Sequence, residues 1–436
     1  MFEFKALVGV GLSLSMAGGC AQGRPGAEMP AVARATLVPK EFNITEYGAV
    51  GDGVADETSA VSRAIYAASI NGGGTVVVPK GRFLIGPIKL LSDINLHLDK
   101  DAVLLVKNDI ASFPMANYRY QDVITADAGT HDIAITGEGT IDGQGQPWWD
   151  VYRKKRPDEP ADTKKLPHRP HLIVFDRCQR ILISGVHLQN SPNFHFVPQD
   201  CDDLTVEDVT ITAPERAPNT DALDPSGHRM FFTRLTIDVG DDNFAFKAMH
   251  RRADGSPSVQ DVLITDCTMK HGHGLSIGGQ TPGGMENLVV RNCTFEDTDA
   301  GIRMKANRGY GGLVRGLFYE NLTMKRVKAP ILITAYYPTI PADVATDPAQ
   351  PVDARTPIWK DIVIKNVTIT DSPEAGRILG LAEMHVENVR LENVRISAKK
   401  GMRIVNADEI HFVDSSIVAE SGPATIVQNA KVEGLK

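Results

Sequence analysis

The sequence predicts an all-β fold: a right-handed parallel β-helix, one single-stranded solenoid of about ten coils with an N-terminal capping helix. Three observations carry that expectation. From residue 130 onward, short runs of alternating apolar residues recur, such as Arg-Ile-Leu-Ile-Ser-Gly (180–185), Leu-Val-Val-Arg-Asn-Cys-Thr-Phe (288–295) and Ile-Val-Ile-Lys-Asn-Val-Thr-Ile (362–369). Period-two alternation marks strands. The turn residue of each run moves through 185, 208, 234, 266, 292, 321, 366, 393 and 414, most steps lying between 21 and 32 residues, the length of one solenoid coil. Asn-Gly turns of the hairpin type are missing between the copies, which disfavours a β-sandwich. One coil cannot bury its apolar face alone, whereas coils paired in parallel at about 4.8 Å spacing can.

The elements follow in order. Lys5 precedes a short apolar run, Ala6 to Met16, and then small residues, so 1–20 reads as an export signal too short to span a bilayer. Cys20 stands where a bacterial lipoprotein would be lipidated, although Ala17 occupies the place usual for Leu. Lipidation and plain cleavage both stay open, and with them a periplasmic, outer-membrane-anchored or secreted location. Residues 21–38, rich in Gly, Pro and Ala, read as a flexible tether, and 39–436 as the β-helix body, expected to be a monomer. Glu57 to Ile70 has helical period with Val61, Ile65 and Ala68 on one face, suited to hiding the apolar face of the first coil. Residues 153–170 and 338–357 read as loops on a repeat scaffold, candidates for the rims of a cleft. Asn292, Asn321, Asn366 and Asn393 fall at one bend, where their amides can bond to one another. Cys178, Cys201, Cys267 and Cys293 read as small buried residues stacked rung on rung, with disulfides not required.

A formal charge of −8 argues against a general nucleic-acid partner, because a polyanion needs a basic footprint. It leaves room for an acidic substrate in a locally basic cleft. The chemistry-bearing stretch runs from Asn219-Thr220-Asp221 through Gly240-Asp241-Asp242 and His271-Gly272-His273-Gly274 to Arg303-Met304-Lys305. Each step is roughly one coil, so the motifs should stack on one face. Singly, an Asp-Asp is a surface turn, a histidine a satisfied polar residue, and Arg-x-Lys a solvated edge. Their coincidence at coil spacing reverses that weighing. Crowded carboxyls raise one another's pKa, which keeps one protonated as an acid while another activates water. That is the requirement of glycoside hydrolysis. Arg303 and Lys305 suit a substrate bearing carboxylates.

At these residues the chain resembles the polygalacturonases of glycoside hydrolase family 28, from about Phe42 to about residue 400. The shared motifs are Asn-Thr-Asp (219–221), Gly-Asp-Asp (240–242), Gly-His-Gly (272–274), Arg-Met-Lys (303–305), Gly-Thr-Ile-Asp-Gly-Gln-Gly (139–145) and Trp148-Trp149-Asp150. The resemblance implies hydrolysis of α-1,4-galacturonosyl bonds in pectin with inversion and without a metal or other cofactor. It implies Asp241 as general acid and Asp221 with Asp242 as the pair that activates water. His273 would then hold the acid's hydrogen bonds, and Asn219, Arg303, Lys305 and Tyr337 (chosen over Tyr336) would bind substrate. Rhamnogalacturonan and xylogalacturonan remain alternative glycans, and endo or exo action stays open. A calcium-dependent lyase and a non-catalytic glycan-binding β-helix are the rivals from other classes.

Overall fold

A computed structural model describes residues 31–154 and 167–435 of the chain. The export signal, Cys20 and most of the 153–170 loop lie outside the described residues. The body is a right-handed parallel β-helix. One ladder starts at Glu41–Asn43 and passes in parallel register through Gly74–Val78, Ile94–Leu98, His131–Gly137, Gln179–Ser184, Cys201–Glu207 and Gly227–Thr233. It continues through Val259–Thr265, Met285–Arg291, Leu313–Lys325 and Ile358–Leu379 to Val386–Val413. Coiling therefore begins well before residue 130, where the repeat becomes readable.

Like residues stack along the ladder. Ile133, Ile181, Leu204, Met230, Val262, Leu288, Leu317, Ile362 and Val389 pair in sequence, and each is fully buried. The turn residues 185, 208, 234, 266, 292, 321, 366, 393 and 414 all take the left-handed conformation, with φ between 47° and 79°. Asn, Asp and Gly are the residues that tolerate it best; Arg234 is the exception, and its guanidinium holds Asp208 on the previous rung at 2.6 and 2.7 Å. The expected amide ladder forms: Asn321 donates to Asn292 at 3.1 Å, Asn366 to Asn321 at 3.1 Å and Asn393 to Asn366 at 2.9 Å.

Helix Thr58–Ile70 lies over the first coils, burying Ala60, Val61, Ala64, Ile65 and Ala68. Cys178, Cys201, Cys267 and Cys293 are buried free thiols. Residues 31–38, the later part of the segment read as a tether, are tied to the coils: Arg34 bonds Glu207 at 2.8 and 3.1 Å and the Thr36 amide donates to Asp132 at 2.9 Å. Trp148 and Trp149 belong to a helix, Gln146–Lys154, which sequence reading left unassigned. Residues 338–357 are irregular apart from the 3₁₀ turn Val344–Thr346. They are pinned through Asp347, which accepts from Arg308 at 2.8 Å and from the Tyr336 hydroxyl at 3.0 Å.

Candidate active site

A separate ladder of short strands carries the site. It runs from Phe196–Gln199 through a single bridge at Leu223 to Phe244–Phe246, Leu275–Gly278, Ala300–Lys305 and Ala329–Thr334. Asp221 precedes the Leu223 bridge, Gly240-Asp241-Asp242 and Gly272-His273-Gly274 lie in the turns before Phe244–Phe246 and Leu275–Gly278, and Arg303 and Lys305 lie on strand Ala300–Lys305 itself. Asp221, Asp241, Asp242, His273, Asn219, Arg303, Lys305 and Tyr337 all line one cleft of about 430 Å³.

Asn219 sits in the left-handed region at φ 54°, accepts from Arg169 at 2.8 Å and donates to Asp241 at 3.4 Å. The Ala222 amide donates to the Asp242 carbonyl at 2.9 Å, which fixes Asp221 beside the Asp pair on the next rung. Strand alternation would send Asp241 and Asp242 to opposite faces. A bend brings them together, and the Asp242 amide closes it by donating to Asp241 Oδ1 at 2.9 Å. Gly240, just before the pair, has no left-handed φ; what matters there is room, since a Cβ would stand 2.3 Å from the Ala217 carbonyl oxygen. Gly274 has both needs, with φ 78° and a Cβ position 1.9 Å from the Ala300 carbonyl oxygen. That close turn places the His273 Nδ1 2.9 Å from Asp241 Oδ1 and 3.6 Å from Asp242 Oδ1.

Arg303 and Lys305 alternate on strand Ala300–Lys305, so both face the cleft. Both bond Asp242, Arg303 at 3.0 Å and Lys305 at 2.6 Å, with the Ser276 hydroxyl donating to the same carboxylate at 2.9 Å. Tyr337 flanks Lys305, whose Nζ is 5.3 Å from the ring centroid; Tyr336 is buried and turned to Asp347.

The sequence reading missed Asp224, Lys247, Ser276, Phe194 and Asp299. Lys247 pairs closely with Asp224, lies 3.9 Å from Asp221 Oδ2, and sits 4.1 Å over the Phe194 ring. A lone lysine in the apolar run Phe-Ala-Phe-Lys-Ala-Met (244–249) was the available signal.

Environment sets Asp221 and Asp242 apart. Burial pushes the Asp221 carboxyl well up, and the neighbouring Asp224 and Asp241 add to it against the opposing pull of Lys247. Its Oδ1 is buried without a hydrogen-bond partner among the described residues. Burial acts on Asp242 in the same sense, but Lys305, Arg303 and His273 outweigh it and bring that carboxyl below its usual range. Burial opposes a charge on His273, yet the hydrogen bond to Asp241 and the charges of Asp241 and Asp242 raise its pKa. The surroundings thus favour the ionised form of Asp242 and the protonated form of Asp221. Asp241, Asp242 and His273 bring one donor atom each within 4.8 Å of one another, close enough for a cation. Such an ion would have to displace Arg303 and Lys305 from Asp242, and the site is better read as already neutralised.

The model of glycosyl hydrolases family 28 matches residues 71–416. The chain belongs to that family. The family-28 match starts later and ends later than the motifs alone suggested, reaching the last coil. An endo-polygalacturonase of Pectobacterium carotovorum subsp. carotovorum is 31% identical over 349 residues, covering 74% of this chain and 80% of that protein. An exopolygalacturonase of Zea mays is 32% identical over 371 residues, 81% of this chain and 83% of its own. The solved polygalacturonase from Erwinia carotovora ssp. carotovora superposes with a TM-score of 0.68 at 28% identity, covering 93% of this chain and 99% of that one. Family 28 membership thus agrees with the solenoid and with its row of acidic turns.

Proposed function

We propose that this family-28 chain hydrolyses α-1,4-galacturonosyl bonds in polygalacturonate by single displacement with inversion. The observation that carries the reading is the set of three carboxyls, Asp221, Asp241 and Asp242, gathered in one cleft beside His273, Arg303 and Lys305. In this reading Asp241, the most accessible of the three, protonates the leaving oxygen. Asp242, held ionised, takes the proton of the attacking water, and Asp221 orients that water through its otherwise unpartnered Oδ1. Arg303 and Lys305 neutralise Asp242 and keep the cleft hospitable to a galacturonate carboxylate. Asn219 holds Asp241, and Tyr337 forms the wall a sugar ring packs against. No step needs a metal or other cofactor.

Reducing-end release from polygalacturonate, with the anomer of the new end read by NMR, tests this directly. Asp241→Asn should lower kcat by roughly 10²–10⁴-fold, the worth of a general acid, while substrate still binds. Release of an unsaturated, ultraviolet-absorbing product, or faster turnover of rhamnogalacturonan or xylogalacturonan, would replace the reading. The matched relatives include both an endo- and an exo-acting enzyme, so an early ladder of oligomers against monomer or dimer alone decides the mode. We also propose that the chain is an exported monomer. Palmitate labelling of cells that is lost in Cys20→Ser would establish a lipid anchor; no labelling of the native chain would leave a plain signal.

A further inference from the structure

His273 is shared by two cavities. The front one is the cleft, and the rear one, of about 330 Å³, lies behind the imidazole and is bounded by Asp299, Lys328, Glu215 and His271. Four successive turns of the active-site ladder align Asp241, His273, Asp299 and Lys328. The His273 Nδ1 meets Asp241 Oδ1 at 2.9 Å, its Nε2 lies 3.5 Å from Asp299 Oδ2, and Lys328 Nζ donates to Asp299 Oδ1 at 2.5 Å. Backbone bonds hold the column in place. Asp299 donates to the Gly272 carbonyl at 2.7 Å, and Ala329, just past Lys328, donates to the Asp299 carbonyl at 2.8 Å. Side-chain exposure climbs along it from 20% at Asp241 through 33% at His273 and 42% at Asp299 to 69% at Lys328. The column therefore runs from Asp241 in the cleft to the exposed Lys328 at the edge of the second cavity.

We propose that Asp299, supported by Lys328, is a positioning residue that makes His273 a conduit for protons from the rear cavity to Asp241. The inference rests on the hydrolase reading and deepens it. In each turnover Asp241 gives its proton to the glycosidic oxygen, and the basic carboxylate receives one from the attacking water. The acid must then be reprotonated while a polymer still covers the cleft. Rear-cavity water beside Asp299 gives a proton to Nε2, and the imidazolium so formed passes its Nδ1 proton to Asp241 Oδ1, leaving the ring protonated on Nε2 alone. When product leaves, the proton of the basic carboxylate reaches Nδ1 through cleft water and the Nε2 proton returns to the rear cavity, so the ring is reset, one water is consumed and no proton is gained or lost. Asp299 fixes the ring so that Nδ1 points forward and Nε2 backward. The charges that face this imidazole are Asp241 and Asp242 from the turn ahead of it and Arg303 from the following strand. Around the rear cavity they are Asp299, Glu215, His271, Asp297, Arg326 and Lys328.

Asp299→Asn, Asp299→Glu and Lys328→Ala, each checked by melting temperature, test the proposal. On polygalacturonate Asp299→Asn should cut kcat about tenfold, less than the roughly 10²–10⁴-fold loss from removing an acid itself, with KM little changed. The alkaline limb of its pH profile should move to lower pH, Asp299→Glu should restore it, and the loss should shrink on short oligomers that leave the cleft open. Lys328→Ala should show the same pattern more weakly. A wild-type pH profile and kcat in Asp299→Asn would overturn the proposal. If the native chain does not hydrolyse polygalacturonate, the hydrolase reading fails on its own. The conduit is then judged by NMR titration of His273, whose pKa should fall by about one pH unit in Asp299→Asn, as loss of a nearby opposite charge requires; no change would overturn it.

Discussion

Asp221 and Asp242 stand on neighbouring turns yet act on stability in opposite senses. Asp242 is lowered from 3.8 in the fold, so it contributes stability above that value, lost as pH falls through its folded pKa. Asp242→Asn should destabilise by about 3–5 kcal/mol at neutral pH, because buried Lys305 and half-buried Arg303 are left with uncompensated charge. Asp221 is raised well above 3.8. Its contribution is complete below 3.8 and is lost as pH rises through the folded pKa. Asp221→Asn should therefore raise the melting temperature at pH 8 and leave it nearly unchanged at pH 4. Both variants should be inactive, and thermal melts at the two pH values check the contrast. A fall in melting temperature for both at pH 8 would mean that the unpartnered Asp221 oxygen is satisfied in solution. At this scale the sequence exposed residues that punctuate turns, such as Gly240-Asp241-Asp242. It hid Asp224, Asp299 and Lys247, whose significance lies in a neighbour a whole coil away. No local pattern marks such a pairing.

Elements were legible wherever the chain repeats itself. The alternation after residue 130 and the left-handed turn column at 292, 321, 366 and 393 both follow from residue type. The coils before 130 were harder to see because helix Thr58–Ile70 interrupts them and strands such as Gly-Thr-Val-Val-Val (74–78) read as continuous apolar runs. Helix Gln146–Lys154 carries a sign in Pro147 at its start, but at nine residues it is too short for its period to stand out. The Asn column separates two contributions that are usually confounded. Asn321 holds φ 55° and bonds both Asn292 and Asn366. Asn321→Gly should lose only the amide bonds, costing about 0.5–1.5 kcal/mol. Asn321→Ala should lose those and also incur roughly 1–2 kcal/mol for a left-handed alanine. Urea titrations of the two variants give the difference. Equal losses would show that the torsion is relaxed by its neighbours.

Across the whole molecule, stability should be local, because each coil touches only the coils before and after it. The two ends are treated differently: helix Thr58–Ile70 covers the first coils, while the last strand, Ser416–Glu433, leaves Val418 62% and Ile426 48% exposed. Val61, fully buried under that helix, is the place to test how far a local fault travels. Val61→Asp buries a charge with no partner, a loss of about 3–5 kcal/mol by comparison with broken buried pairs, and should free the helix from the first rungs. Hydrogen exchange should then accelerate in Glu41–Asn43 and Gly74–Val78, which the helix contacts. The rungs of the candidate site, Phe244–Phe246 to Ala300–Lys305, should keep native protection because every rung between them still pairs. Activity at low temperature should stay close to native while thermal inactivation sets in earlier. If protection is lost equally at both ends of the stack and activity falls with it, the solenoid is one cooperative unit. The turns carrying Asp221, Asp241 and His273 would then depend on a cap many coils away.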